Sequence, residues 1–222
     1  RVVVDEPRGG GTALQLVFQG ADQLIKGLRA FHRKDTLHQD LKPDNVIIGK
    51  RGAVIVDFGS CWVAGIQEAG ATFERDTILG TLDYSAPEYR LGSHAGERSD
   101  LFSLGVLLYE MLTQKLPYGS AYSSAMDLKS LQKLNYISAC AINPLVPFWL
   151  DKTLEKALHI NPERRYESLS EWLQDLKRPN PHLLTQRERP LLEKDPLSFW
   201  RLAAALGWLA FFATLLWHLN KG

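Results

Sequence analysis

Between residues 38 and 59 two polar, acid-bearing loops stand at the two ends of one short apolar hairpin, and no other feature constrains the fold as tightly. The first loop reads His38-Gln39-Asp40-Leu41-Lys42-Pro43-Asp44-Asn45, and the second, Asp57-Phe58-Gly59, begins twelve residues after Asn45. The apolar runs Val46–Ile48 and Ala53–Val56 flank Gly49-Lys50-Arg51-Gly52, the pattern of two strands joined by about four loop residues. A hairpin returns the chain to the end it started from, so the two loops are expected side by side. Asp and Asn are ordinary turn residues, and a lone Asp-Phe-Gly would carry little information. An Asp-x-x-x-x-Asn spacing followed by a hairpin and a second acidic loop is far more specific.

The flanking sequence supplies a scaffold. Val2–Val4 and Leu14–Phe18, on either side of Gly9-Gly10-Gly11, read as a small hairpin, and Leu24, Leu28 and Phe31 mark an amphipathic helix from Ala21 to Arg33. Ser99 and Asp100 form a plausible cap for Leu101–Leu112, which is too short to cross a bilayer and reads as a buried helix. Helices are also expected around Trp149–Leu158 and Leu169–Leu176, the latter opened by a Ser168/Glu171 capping box. Prolines and mixed charges from Lys177 to Pro196 read as a linker, and no internal repeat is present.

Composition narrows the function classes. With 45% hydrophobic and 23% charged residues the chain has the makeup of a folded domain, and a net charge of +1 gives no electrostatic case for nucleic acid. The two cysteines, Cys61 and Cys140, are expected as free thiols in a reducing compartment. Nothing near Arg1 has the makeup of a signal peptide.

The two loops resemble the catalytic and metal-binding loops of eukaryotic-type (Hanks-type) Ser/Thr protein kinases. The resemblance runs from about Ala21 to Leu176 and implies an α+β, protein-kinase-like fold made mainly of the helical C-lobe. It implies that Asp40 acts as the base, that Lys42 neutralises charge on the γ-phosphate of ATP, and that Asn45 and Asp57 hold Mg2+. Lys42 at its position resembles the Ser/Thr-directed branch. Gly80-Thr81-Leu82-Asp83-Tyr84-Ser85-Ala86-Pro87-Glu88 is similar to the end of an activation segment, with Thr81 near the substrate's acceptor and Glu88 as an anchor. Arg165, in Asn161-Pro162-Glu163-Arg164-Arg165, is the matching partner for Glu88, and Asp100 matches the aspartate that braces the catalytic-loop backbone. The implied partners are proteins bearing Ser or Thr. The wording is closest to bacterial kinases anchored at their C-terminus, some with a phosphatase domain upstream, although no phosphatase metal motif occurs here.

Two departures matter. Gly9-Gly10-Gly11 lacks the G-x-G-x-x-G pattern, and neither a strand lysine nor its helical glutamate is recognisable, so the N-lobe is incomplete, through a fragment boundary or a real loss. A truncated or pseudokinase-type module that binds partners without catalysis is therefore the alternative reading. Gln39 replaces an arginine that pairs with a phosphorylated activation loop in regulated relatives, so obligatory control of that kind is not expected.

At the C-terminus, Leu202–Leu219 is an uncharged apolar run, about 27 Å long at the helical rise. Trp200 and Trp217 stand near its ends; Arg187, Arg189, Lys194 and Arg201 precede it and only Lys221 follows. The expected organisation is N-lobe strands at 1–20, a C-lobe at 21–178, a juxtamembrane linker at 179–198 and a transmembrane helix at 199–219. That places the catalytic lobe on the cytoplasmic face of the cell membrane, with the lipid bilayer as a partner.

Overall fold

Val17, Ala21, Leu24, Ile25 and Leu28 recur at helical spacing, and together they form the buried face of a 20-residue helix, α1 (Ala13–His32). The computed structural model describes residues 13–49, 52–63, 82–92, 96–184, 200–201, 204–209, 214 and 217. Within it, α1 begins well before Ala21 and absorbs Leu14–Phe18, which the sequence pattern assigns to a strand. The correction has a packing cause. Val17 lies four residues before Ala21 and extends the apolar stripe by a turn, while the Phe18 ring stacks against Trp149 with centroids 6.3 Å apart. Such tertiary contacts override the β-preference of a short apolar run. Val2–Val4, the other expected strand, lies outside the described residues.

Two small antiparallel sheets follow. β1 (Thr36–Leu37) pairs with β4 (Trp62–Val63), and β2 (Val46–Gly49) pairs with β3 (Gly52–Ile55). In the second sheet Val46, Ala53 and Ile55 are buried while Ile47 and Val54 are exposed, the alternation expected of a sheet with one covered face. Gly49 pairs with Gly52, so the hairpin loop is tighter than the four residues expected.

The short helix α2 (Pro87–Arg90) precedes α3 (Glu97–Thr113), where every residue from Ser99 to Tyr109 is buried. Its N-cap is Gly96, not Ser99; Ser99 lies in the first turn, and its hydroxyl accepts from the Gly96 N–H at 3.2 Å. This frees Asp100 from a capping role. Short helices α4 (Ala121–Ser124), α5 (Leu128–Gln132) and α6 (Ala139–Ile142) lead to α7 (Phe148–Ala157) and α8 (Leu169–Lys177), close to the expected bounds. Ser168 caps α8 by accepting from the Glu171 N–H, but the Glu171 carboxylate accepts from Glu167 rather than closing the box on Ser168. Trp172 and Tyr166 are fully buried and stacked, and Asp22 on α1 pairs with Lys177 on α8 at 2.6 Å. Cys61 and Cys140 form no disulfide.

Asn180–Gly222 forms a separate unit, with a 3-10 turn at Pro181–Leu183 and helical residues at 200–201, 204–209, 214 and 217. Much of the expected 199–219 span lies outside the described residues. Among the described residues no helix is long and apolar enough to cross a membrane.

The later helices come close to α3 at Gly105, where an added Cβ would lie 3.2 Å from Leu158 Cδ2 and 3.7 Å from the Ala157 Cβ. Both neighbours are fully buried and have nowhere to move. Gly105→Val should destabilise the chain by about 1–3 kcal/mol through overpacking, read as a lower urea midpoint at unchanged slope.

Candidate active site

Asp100 stands one turn inside α3 with only 1% of its surface exposed, and a carboxylate so placed must be hydrogen-bonded. Its Oδ2 accepts from the His38 N–H at 2.8 Å and its Oδ1 from the Gln39 N–H at 2.9 Å. His32, the last residue of α1, places Nε2 3.0 Å from Oδ2. Gln39 has a φ of 68°, a left-handed conformation that is costly for a side chain with a Cβ and persists where surrounding bonds enforce it. One carboxylate thus clamps two successive amides of the loop and the end of α1.

The loop then presents its polar side chains. Lys42 Nζ lies 2.7 Å from Asp40 Oδ2, and Asn45 Nδ2 donates to the Asp40 carbonyl at 2.7 Å and to Asp40 Oδ2 at 3.0 Å. Pro43–Asn45 forms a 3-10 turn, which the fixed φ of proline favours at its start, and it turns the Asn45 side chain back toward Asp40. Asn45 is 4% exposed. Its carbonyl accepts from the Val56 N–H at 2.9 Å, so the strand that delivers Asp57 is tied to the loop that carries Asp40. Asp57 itself has a φ of 62°, and its Oδ1 accepts from the Gly59 N–H at 3.1 Å.

With its Nδ2 committed to Asp40, Asn45 has Oδ1 to offer a cation, and Asp57 has Oδ2. These are hard oxygen donors of the kind Mg2+ takes. Among the described residues no group of three His, Cys, Asp or Glu side chains could hold a metal ion.

Several contributors escape a reading of the sequence. The Phe58 ring stacks on Phe31 of α1 at 5.2 Å and meets His38 edge-on at 6.0 Å. His38 is fully buried, and its ring packs between Phe31 and Phe58. His32 and Phe31 fall on the α1 periodicity, but nothing local in the sequence points them at Asp100 or Phe58. The Tyr84 hydroxyl donates to Glu110 Oε2 at 2.7 Å; burial first, and that hydrogen bond second, raise its pKa far above the usual phenol value. Cys61, two residues past Gly59, has its thiol pKa raised by burial and then by Asp100 and Asp57, which keeps it a thiol.

Glu88 and Arg165, far apart in sequence, meet in the structure. Arg165 Nη1 and Nη2 donate to the two carboxylate oxygens of Glu88 at 2.7 and 2.8 Å. The remaining guanidinium donors reach the carbonyls of His159, Arg98 and Ile160, and the guanidinium carbon lies 4.7 Å from the centre of the Phe102 ring. Ser99 Oγ adds a 2.7 Å bond to Glu88 Oε1. Thr81, the remaining expected site residue, lies outside the described residues.

The profile of the protein kinase domain matches residues 12–176. The chain belongs to the protein kinase domain family. Among curated relatives, the serine/threonine-protein kinase PrkC of Bacillus subtilis is 30% identical over 157 residues, covering 70% of this chain and 24% of that protein. The serine/threonine-protein kinase PknD of Chlamydia trachomatis is 32% identical over 211 residues, covering 83% of this chain and 20% of that protein. A probable serine/threonine-protein kinase of Clostridium perfringens is 29% identical over 157 residues, covering 70% of this chain and 22% of that protein. The chain therefore spans about a fifth to a quarter of the length of these relatives. The kinase fold expected from the two loops is borne out, and its α1 lies within the matched span.

Because Glu88 and Arg165 are both buried, removing one leaves the other as an uncompensated charge. Arg165→Ala should cost about 3–5 kcal/mol in equilibrium unfolding, and replacing both residues by Met should recover a large part of that loss.

Proposed function

We propose that this lobe transfers the γ-phosphoryl group of ATP to Ser or Thr hydroxyls of proteins. The observation that carries the reading is the joining of Asp40, Lys42 and Asn45 to Asp57 through one hairpin, with the whole loop held by the buried Asp100. The incoming hydroxyl would hydrogen-bond to Asp40, which orients its oxygen toward phosphorus and accepts its proton as the O–P bond forms. The bond from the γ-phosphorus to the bridging oxygen breaks, and its electron pair leaves with ADP. Lys42, now 2.7 Å from Asp40, is close enough to share its charge with the transferred oxygens. Mg2+ bound through Asn45 and Asp57 would neutralise phosphate charge. The names of the relatives support Ser and Thr as acceptors.

Asp40→Asn, tested on the chain joined to a complete N-terminal lobe with a generic basic protein as acceptor, should lower turnover by several orders of magnitude. Near-normal turnover would reject the role of Asp40. Nucleotide binding without any turnover by the unaltered protein would instead support the partner-binding reading.

We also propose that Leu202–Leu219 anchors the protein in the cell membrane with the kinase lobe on the cytoplasmic side. The support is the uncharged run itself, Trp200 and Trp217 near its ends, and the basic residues gathered before it. Deleting residues 199–222 should move the protein to the soluble fraction, whereas the intact chain should resist carbonate extraction and yield to detergent. Recovery of the intact chain without detergent would refute the anchor, and a lobe open to external protease would refute its orientation.

A further inference from the structure

The strand β3 runs through Val56 into Asp57, so whatever seats β3 sets where Asp57 stands relative to Asn45. Three positions of α1, one turn apart, face that strand. An added Cβ at Gly20 would lie 3.6 Å from the Ala53 Cβ, and one at Gly27 would lie 3.9 Å from Ile55 Cδ1, so at both positions the helix lies within ordinary van der Waals reach of the strand's side chains. Between them stands Gln23, whose Oε1 accepts from the Ala53 N–H at 2.7 Å.

That N–H needs such a partner. The Val56 N–H points across to Asn45, and amides alternate in direction along an antiparallel strand, so the Ala53 N–H points away from β2. Among the described residues this sheet has two strands, and Ala53 is 6% exposed, so its outward amide is shielded from water and meets the Gln23 side chain instead of a third strand. The neighbouring backbone is shaped to admit the glutamine. Gly52 has a φ of 115°, and a Cβ there would overlap the Gln23 amide, 1.9 Å from its Oε1. A glycine in this conformation is the residue that lets the side chain reach the strand.

We infer that Gln23 is a positioning residue: from the face of the hairpin away from the reacting groups, it fixes the strand that brings Asp57 to Asn45. The inference rests on the reading of these two residues as the Mg2+ ligands, and its test separates the two. The full chain would be compared with Gln23→Leu, which keeps size but loses the acceptor, and Gln23→Glu, which keeps a carboxylate oxygen for the Ala53 amide.

One arm is amide hydrogen exchange, where Gln23→Leu should speed exchange at Ala53 about tenfold and spread the effect toward Asp57, leaving α7 and α8 unchanged. The other, made on the chain joined to a complete N-terminal lobe, is titration with Mn2+ in the presence of a non-hydrolysable ATP analogue, where the same variant should raise the Mn2+ Kd about tenfold with little change in Tm. Gln23→Glu should restore both readouts. Unchanged exchange at Ala53 would overturn the inference, as would a Gln23→Glu variant as weak as Gln23→Leu, or a Kd within twofold of the original despite faster exchange. If the unaltered chain binds no Mn2+ with the analogue, the metal-ligand reading fails, and the exchange arm still decides whether Gln23 holds the strand.

Discussion

The architecture depends on one buried carboxylate, Asp100. Its two oxygens take up the amides of His38 and Gln39 and the ring nitrogen of His32, so α3, the loop that carries Asp40 and the end of α1 meet at a single group. A loop that must hold a left-handed Gln39 immediately before Asp40 needs such a fixture, because a non-glycine residue does not rest there unaided. Removing the carboxylate would leave the two amides without their acceptor inside the protein and release the strain they hold.

The first turn of α3 extends this role beyond Asp100. Three consecutive residues each hold a different distant segment: the Arg98 carbonyl accepts from Arg165, Ser99 donates to Glu88, and Asp100 holds the Asp40 loop. The Glu88–Arg165 pair and the Asp40 loop therefore share one rigid support, a helix buried on almost every side. This arrangement explains why the chain spends so many buried polar groups here. Each would be costly alone, and each is matched by a hydrogen-bond partner from another segment.

The hairpin works differently. It brings Asn45 and Asp57 together through a main-chain bond from Val56, and its other face rests on α1 through small residues and Gln23. Asp40, Asn45 and Asp57 are thus held from two directions, by α3 beneath the loop and by α1 behind the strand. The aromatic contacts of Phe58 with Phe31 and His38 add a third tie between the second loop and the same helix.

Local signals were sufficient for the parts of this protein whose chemistry is written in contiguous residues. The Asp40 to Asn45 spacing, the two β runs and Asp57-Phe58-Gly59 identify the loops and their common hairpin, because strand alternation and turn residues act over a few positions. The pairing of Glu88 with Arg165 and the bracing by Asp100 came from resemblance to a family, not from any local rule. Tertiary structure alone decided that Leu14–Phe18 is helical, since burial of Val17 and stacking of Phe18 on Trp149 outweigh a short run's strand preference. It alone decided that Ser99, in the first turn of α3 and not at its N-cap, also binds Glu88, and that His32, Phe31 and Gln23 serve the site. The physical reason is common to these cases: each depends on a partner tens of residues away, and sequence periodicity tells which face of a helix is covered but not what covers it.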